Sequence, residues 1–490
     1  MHQGPSPQND KDHNCNSTFA MKRLNDSSQI GKLNRPNKAT FLLGFMQRSA
    51  DAQDATGTSE TPWRGLVRKI LLKTNKGILS LVDQGLLSFT SFATSVLLGR
   101  SCSKAELGLY ALGLSIMVIS TEFQTAFIST PYMVYSPRLE GHDHRQYTGS
   151  ALIHQLILSM LVSFLLVSGL GVVSLGTGPK GLADVLRVLV SVTFFVMLKE
   201  FLRQLCYASL KVKTVLILDS FVTLIQIGGL SLLAFYGVLS AYRSFLVVGA
   251  ACGLTSVGWL ILNRNIFVLN LKKAWSAFRQ NWMFIRWLVA SHLLWTLVNA
   301  FFPWFIAALS GVEANGIWVA CIGVATLGNL ILVGMQNIVG PRIIHAYAHG
   351  GALEMRSLVL KSAMLFVLAM SVFCVFIILF GDMAVVLFYG NKYGGNGMLV
   401  SAMALNLVVS SATFPFSRGL FAMERADVDF KINMVSIVMM VLTVYLIRTY
   451  GLFGAACGLI ASNALSVLLR GGAFSRIAES KIADMREAAA

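Results

Sequence analysis

Twelve apolar segments, each about as long as a bilayer is thick, constrain the fold of this chain more than any other feature. A stretch of about 20 apolar residues crosses the hydrocarbon core as an α-helix, because lipid offers the backbone no hydrogen-bond partner outside its own helix. Hydrophobic residues make up 55% of the 490-residue sequence, as expected for a membrane protein. The predicted spans are 77–99, 107–129, 149–175, 186–208, 213–236, 243–263, 284–308, 313–338, 357–380, 396–417, 429–448 and 451–471.

The distribution of Lys and Arg predicts the orientation of these spans. Loops and helix ends on one side carry 25 of the 40 Lys and Arg residues, and those on the other side carry only 7. Cytoplasmic loops retain positive charge, so both termini are predicted to be cytoplasmic. The net charge of +17 is then explained by this bias and by attraction to anionic membrane lipids. We therefore expect membrane lipids as partners, and no nucleic acid.

Segments outside the spans carry weaker signals. Residues 1–60 are polar and rich in Asn, Asp, Ser and Gln, which predicts a disordered tail, with a regulatory or partner-binding role as the alternative. Residues 473–490 are predicted to form a cytoplasmic tail. The Gly-rich region 381–396 has an amphipathic start and predicts a short surface helix and a loop on the outer side. The seven Cys show no CxxC spacing, so we expect packing residues and no metal site or cofactor.

A weak internal repeat divides the membrane part into two lobes. A shift of 208 residues places 81–89 on 289–297, and a shift of 214 places 236–241 on 450–455. The repeat predicts a first six-helix lobe at 61–265 and a second at 266–472. Six spans is an even number, so the lobes share one orientation. Parallel repeats with a substrate site in a central cavity between them are an architecture of transporters.

The first lobe contains ionisable residues inside its spans. A charge at the centre of a bilayer costs about 3 kcal/mol on insertion scales, so such residues usually face a cavity or a partner. The rise of about 1.5 Å per residue places all six in one layer, in the cytoplasmic half of the lobe. The six are Asp83, Glu122, Lys199, Glu200, Arg203 and Asp219. The second lobe offers only His292 and, near its cytoplasmic edge, Lys361.

These residues suggest several roles. Asp83 and Asp219 are candidates for coupling transport to H⁺ or Na⁺. Pyrophosphate is recognised by charge-assisted hydrogen bonds, which makes Lys199, Arg203 and Arg100 candidates for an anionic head group. A structural alternative is that these charges form ion pairs, since Glu200 and Arg203 are three residues apart on one helix. The substrate-cavity candidates together are Asp83, Gln84, Glu122, Lys199, Glu200 and Arg203.

Polar residues and prolines add further candidates. Asp83 and Gln84 are followed by a polar strip that lipid would not favour, at Ser88, Thr90, Ser91, Thr94 and Ser95. Proline removes a backbone donor and bends a helix, so each proline within a span is either a hinge or a static bend. The hinge candidates are Pro131, Pro303 and Pro415.

Four stretches resemble a known family. The segment 82–113 (VDQGLLSFTSFATSVLLGRSCSKAELGLYALG) is similar to the first two helices of bacterial polysaccharide and O-antigen flippases. The segments 130–138, 415–433 and 450–462 are similar to further parts of the same proteins. These flippases belong to the multidrug/oligosaccharidyl-lipid/polysaccharide (MOP) exporter superfamily, and the resemblance covers about 77–471.

The resemblance implies a function as well as a fold. It implies a twelve-helix transporter of the bacterial plasma (inner) membrane that flips polyprenyl-pyrophosphate-linked oligosaccharide by alternating access, with cation coupling. Asp83 matches an Asp often found in this part of the first helix. The pathway would be the biosynthesis of surface polysaccharide such as lipopolysaccharide, with a polymerase or export machinery as a further partner.

Other functions remain open at this stage. A cation-coupled exporter of the multidrug and toxin extrusion (MATE) type would share the fold and the acidic first lobe. A lipid II flippase would be expected to have two more C-terminal spans. A glycosyltransferase or polymerase would need a larger outer loop, so we expect no enzyme. A scaffold would leave the buried charges unexplained.

Overall fold

The computed structural model describes the backbone of residues 62–489 except 177, and their side chains except at 62–76, 177, 280, 283–295, 297–299, 426 and 484–489. The predicted tail 1–60 and the side chain of His292 lie outside these residues. The chain divides into two compact units, Met1–Thr74 and Asn75–Ala490. The second unit contains all the predicted spans.

The described residues form twelve helices, some with a short irregular turn, and they follow the chain order of the twelve predicted spans. We number them α1 to α12. The odd-numbered helices start at one face, where most Lys and Arg lie; we call it the inner face and the opposite one the outer face. The bounds are α1 Pro62–Ser101; α2 Lys104–Gln124, Thr125–Ser129 and Thr130–Tyr135; α3 Gly141–Ser174; α4 Leu182–Ala208; α5 Val212–Phe235; α6 Ala241–Leu262; α7 Leu271–Ser310; α8 Val312–Ala325 and 329–350; α9 352–389; α10 Gly397–Ser411 and Thr413–Ala422; α11 426–450; α12 452–489.

Two glycines separate helices that follow each other without a loop. Gly351 (φ 67°) divides α8 from α9, and Gly451 (φ 57°) divides α11 from α12. Residues with a Cβ rarely adopt a positive φ, so glycine allows the chain to reverse in a single residue. This explains why the two helix pairs need almost no connecting sequence.

Most of these helices are long and apolar enough to cross a membrane. Eight stretches meet that description, and two of them, Val312–Tyr389 and Asp427–Ala483, each hold two helices. The helix α4 is not among them, although it has 27 residues. It carries five charged residues, which are Asp184, Arg187, Lys199, Glu200 and Arg203.

Hydrophobic packing differs between the two faces. The largest cluster of buried side chains lies toward the outer face and joins both lobes, with Leu98 and Phe245 from one and Tyr389 and Val400 from the other. Toward the inner face the described clusters are separate. One lies within α2–α6, and another within α8–α12. Toward the inner face the described contacts between the lobes come from α7, where Trp282 stacks on Phe127 and Ala274 O lies 2.9 Å from His154 Nε2.

The region 381–396 differs from its prediction as a surface helix. Residues up to Tyr389 continue α9, and a short 3₁₀ turn follows at Asn391–Tyr393. Tyr389 and Tyr393 are both fully buried. The amphipathic pattern was misassigned because the apolar side of this segment packs on the other lobe instead of the membrane surface.

Candidate functional site

The helix α4 presents a charged face to its neighbours in the first lobe. Lys199, Arg203 and Tyr207 are spaced four residues apart, so their side chains point to one side of the helix. The helices α1 and α5 approach this side and contribute Asp83 and Asp219, which are fully buried. We call Asp83, Lys199, Glu200, Arg203 and Asp219 the lobe-one cluster.

Arg203 is the centre of the lobe-one cluster. Its Nε donates to Asp219 Oδ2 at 2.8 Å, and its Nη2 donates to Asp83 Oδ2 at 3.0 Å. Its Nη1 donates to Glu200 Oε1 at 3.3 Å. One guanidinium thus holds carboxylates from three helices. The planar fork of Arg suits this arrangement, because several donors keep fixed directions.

Three more side chains complete the bonds of the cluster. Lys199 Nζ lies 2.5 Å from Asp219 Oδ1. The Tyr207 hydroxyl donates to Asp83 Oδ2 at 2.6 Å, and Gln204 donates to Glu200 Oε1 at 2.8 Å. The ring of Tyr207 also lies 5.2 Å from the Arg203 guanidinium. Each cation is therefore bound to at least one carboxylate.

The charges of this cluster do not balance. Three carboxylates face two cations, so the cluster carries one excess negative charge when all five groups are ionised. Both Asp side chains are fully buried, and Asp83 Oδ1 has no hydrogen-bond partner among the described residues. The arrangement is therefore one positive charge short of balance, and burying such an excess is costly.

The structure brings together five of the six charged residues that the sequence singled out. Glu122 lies half-buried on α2, and the bonds that define the lobe-one cluster do not include it. Gln84 is exposed, beside Asp83 on α1. Arg100 lies at the outer end of α1, far along the helix from the cluster.

The polar strip of α1 is largely used for packing. The hydroxyls of Thr90 and Thr223 on α5 are 2.7 Å apart. Gln226, also on α5, donates to Thr94 at 2.9 Å. Thr90 and Thr94 are buried, so this part of the strip holds α1 against α5 on the outer side of the lobe-one cluster.

The three predicted hinge prolines lie in different backbone surroundings. Pro131 follows the π-helical turn Thr125–Ser129, and such turns occur often at functional sites. Pro303 lies inside the continuous helix α7. Pro415 follows the interruption of α10 at Ala412. Pro341 inside α8 is a further proline that the sequence analysis did not single out.

The second lobe contains a buried ionic group that the sequence analysis missed. Arg470 on α12 is 4% exposed and donates to Asp429 Oδ1 at 2.7 Å and to Asn433 at 2.6 Å, both on α11. Ser466 also accepts from Arg470, and Ser417 on α10 donates to Asp429 at 2.8 Å. We call these five residues the lobe-two cluster. Its charges balance.

At the outer face the two lobes are closed against each other by an aromatic side chain. Tyr389 on α9 packs against Phe92, and its hydroxyl lies 3.0 Å from Ser95 Oγ, both on α1. A Cβ added at Gly99 or Gly323 would collide with the Tyr389 ring or hydroxyl. The ring therefore fits a slot whose walls are glycines from α1 and α8.

Backbone contacts extend this outer closure. Asn315 on α8 donates to Gly108 O at 3.0 Å, and Arg100 Nε donates to Phe388 O at 2.8 Å. Lys392 donates to the carbonyl of Cys102. Every hydrogen bond in the described residues that joins α1–α6 to α8–α12 lies at this end. We call this set of contacts the outer closure. The helix α7 is bonded to the first lobe elsewhere, at Ser115, Tyr147 and His154.

Two ionisable groups at the outer closure lie in loops and have shifted pKa values. Burial lowers the pKa of Lys392. Burial, and then the nearby Glu106 carboxylate, raise the pKa of the Cys102 thiol to about 11. Cys102 is 8% exposed, and its Sγ donates to Leu239 O at 3.3 Å, so the thiol is both shielded and protonated at neutral pH.

Comparisons with known proteins give the same architecture. No protein-family model matches the chain, and no curated protein matches it. An inward-facing structure of a multidrug-resistance MATE transporter of the MOP superfamily is similar at a TM-score of 0.66 and 14% identity, over 80% of this chain and 94% of that one. An outward-facing structure described in the same words gives 0.59, at 14% identity, over 82% and 94%. A MOP superfamily transporter from Pyrococcus furiosus, described as having a binding pocket of reversed polarity, gives 0.58 at 12% identity, over 82% and 94%.

The predicted fold class is confirmed. The chain is an all-α, multi-pass membrane protein with the fold of MATE transporters, in which twelve helices form two six-helix lobes of the same orientation around a central cavity.

Proposed function

We propose that this chain exports a polyprenyl-pyrophosphate-linked oligosaccharide across the bacterial plasma membrane by alternating access, for the biosynthesis of surface polysaccharide. The observation that carries the alternating-access part is the outer closure, together with the separate buried clusters of α2–α6 and α8–α12 toward the inner face. The resemblance of 82–113 and three further segments to polysaccharide flippases supports the substrate class. Both termini are then cytoplasmic, and a polymerase or export machinery is a partner.

The lobe-one cluster is the proposed coupling site. Its excess negative charge and the unpartnered Asp83 Oδ1 suit one proton or one Na⁺. Uptake of that cation at Asp83 or Asp219 weakens the hold on Arg203, which bonds both carboxylates. Because Arg203 and Asp219 also join α4 to α5, cation binding changes the packing of three helices at once. This links the charge state of the cluster to the shape of the first lobe.

The head group of the proposed substrate would meet the same bases. Arg203 has five N–H donors, and the described contacts engage its three nitrogens with carboxylates. Lys199 is bound to Asp219. A pyrophosphate that reached this layer would compete with those carboxylates, and protonation of a carboxylate would favour the phosphate. We therefore propose that cation uptake and head-group binding at Lys199 and Arg203 are coupled.

A cation-coupled multidrug exporter is the second candidate. The excess of acid over base in the lobe-one cluster favours a cationic substrate, which would itself neutralise the extra charge. The similarity to multidrug-resistance MATE structures agrees with this function.

A deletion strain separates the two candidates. Its lipid extract would be assayed for polyprenyl-pyrophosphate-linked oligosaccharide, and its surface for polysaccharide. The flippase proposal requires accumulated lipid-linked sugar and lost surface polymer, both restored by the wild-type gene and not by Asp83→Asn at equal membrane abundance. Normal amounts of lipid-linked sugar and surface polymer, with new sensitivity to cationic drugs, would contradict the flippase proposal and support the drug exporter.

A further inference from the structure

A groove between α11 and α12 lies near the inner face of the second lobe. It has a volume of about 380 Å³ and is lined by Val428, Lys431, Ile432, Val435, Leu468, Leu469, Gly472, Ala473 and Arg476. The lining spans eight residues of α11 and nine of α12, which is about 10–12 Å along the helices. Leu468 is 71% exposed, so the groove is open along one side.

The two ends of this groove differ in polarity. Val435 and Leu468 mark the deeper, apolar end, whereas Lys431 and Arg476 mark the end nearest the inner face. The Lys431 side chain is 75% exposed, and Arg476 is exposed as well. A long apolar groove that ends in two cations matches an amphiphile with an acyl chain and a negative head group.

The nearby carboxylate does not cancel this positive charge. Asp427 lies 3.9 Å from Lys431, but Arg425 binds both of its oxygens, at 2.9 and 3.2 Å. Arg425, Lys431 and Arg476 against Asp427 leave two excess positive charges at the end of the groove. Glu479, three residues after Arg476, is bound by Arg356 at 2.7 Å. The second nearby ionic group, Arg470 with Asp429, is neutral as a pair.

We propose that this groove binds an anionic phospholipid, with one acyl chain along α11 and α12 and its phosphate at Lys431 and Arg476. The predicted orientation places this end at the cytoplasmic leaflet, where anionic lipids are concentrated. The site is separate from the lobe-one cluster and does not depend on which substrate is exported.

Gly472 provides a way to block the groove without changing its charge. A Cβ at this position meets no atom within 4 Å, and Gly472 lines the groove. Gly472→Leu therefore fills the space that the acyl chain would occupy. Replacing a glycine inside a helix also favours the helix, so this variant is expected to fold.

Native mass spectrometry of the delipidated full-length protein in detergent tests the proposal. The probes are phosphatidylglycerol, phosphatidylethanolamine with the same acyl chains, and a polyprenyl monophosphate. We expect the wild type to prefer phosphatidylglycerol to phosphatidylethanolamine. Lys431→Gln with Arg476→Gln should weaken phosphatidylglycerol roughly 30-fold, or about fivefold for each cation. Gly472→Leu should weaken both phospholipids.

Lys213→Gln with Lys361→Gln is the matched control. Both residues are exposed and lie near the inner face, but neither lines the groove. Equal losses in the two double variants, or no phosphatidylglycerol preference in the wild type, would overturn the proposal. Polyprenyl monophosphate binding at least tenfold tighter than phosphatidylglycerol, and lost with Gly472→Leu, would assign the groove to the carrier lipid instead.

Discussion

The two lobes carry buried ionic clusters at related positions but with different charge. Asp219 on α5 and Asp429 on α11 are 210 residues apart, between the two shifts that relate the halves of the sequence. In the second lobe, Asp429 accepts hydrogen bonds from Arg470 and Ser417. Asn433 accepts a further bond from the same guanidinium. In the first lobe, Asp219 belongs to a set of three carboxylates and two cations.

The difference in charge separates a structural cluster in the second lobe from the proposed coupling site in the first. A balanced, fully bonded pair holds helices together and has little reason to bind another ion. A buried cluster with one excess negative charge, and one carboxylate oxygen without a partner among the described residues, changes its energy when a cation binds. We expect substitutions in the lobe-two cluster to affect stability, and substitutions at Asp83 to affect coupling.

The largest effect is expected for Arg203→Met. It leaves three carboxylates with Lys199 alone, and breaking a buried ion pair costs about 3–5 kcal/mol. Folded protein in the membrane should fall sharply, and thermal unfolding in detergent should move to lower temperature. Arg203→Lys keeps the charge but loses the fork, so an intermediate loss is expected. A stable Arg203→Met protein would show that the cluster is not held by this residue.

Arg470→Met should have the next largest effect. It leaves only the Asp429 carboxylate without a cation, whereas Arg203→Met leaves two carboxylates more than cations. The Asp429 side chain is also 32% exposed, so water can replace part of the lost hydrogen bonding. We expect a loss of about 2–3 kcal/mol. Adding Asp429→Asn should recover much of it, measured by the same unfolding assay. Failure of the double variant to recover would mean that packing, and not charge, dominates there.

Asp83→Asn and Asp429→Asn compare the lobes directly. Asn keeps the shape of Asp and still accepts from Arg203 and Tyr207, so folded yield should change little with Asp83→Asn. Transport per folded molecule should fall at least tenfold, or about 1.4 kcal/mol. Asp429→Asn should leave transport per folded molecule near the wild-type value. Equal losses of transport in the two variants would contradict the proposal that only the lobe-one cluster takes part in coupling.

The smallest effect is expected for an exposed pair of the same chemistry. Arg187 and Asp184 are 2.9 Å apart on α4, with side chains 68% and 58% exposed. Arg187→Ala should change the unfolding temperature hardly at all, since exposed pairs contribute about 0–1 kcal/mol. A loss of stability as large as that of Arg470→Met would show that burial does not determine how much an ion pair contributes.

Much of the fold follows from the sequence because lipid limits the backbone to helices. The twelve spans and the layer of charges in the first lobe could be placed by counting residues. The pairing of Arg203 with Asp83 and Asp219 could not, because hydropathy does not determine how a helix is rotated. Only the contacts with α1 and α5 show which side of α4 faces inward.

The lobe-two cluster was missed for a different reason. Arg470 lies at the last turn of a predicted span, where a positive charge normally marks the cytoplasmic edge. Its spacing of four from Ser466, and that of Asp429 from Asn433, were the signals available. The outer closure was also hidden, since Tyr389 and its glycine neighbours come from separate helices.

We propose that a cation bound at Asp83 in the lobe-one cluster controls the opening of the outer closure. The most direct test is the labelling of Cys102 by a membrane-impermeant maleimide, in a protein with Cys102 as its only cysteine. Its rate would be measured across pH and Na⁺ concentration, with and without Asp83→Asn. The intrinsic reactivity of the Cys102 thiol is the same with and without Asp83→Asn. The ratio of the two labelling rates therefore reports only how often the outer closure opens. We predict that this ratio changes at least threefold with pH or Na⁺, and that Asp429→Asn behaves like the wild type. A constant ratio under all conditions would contradict the claim.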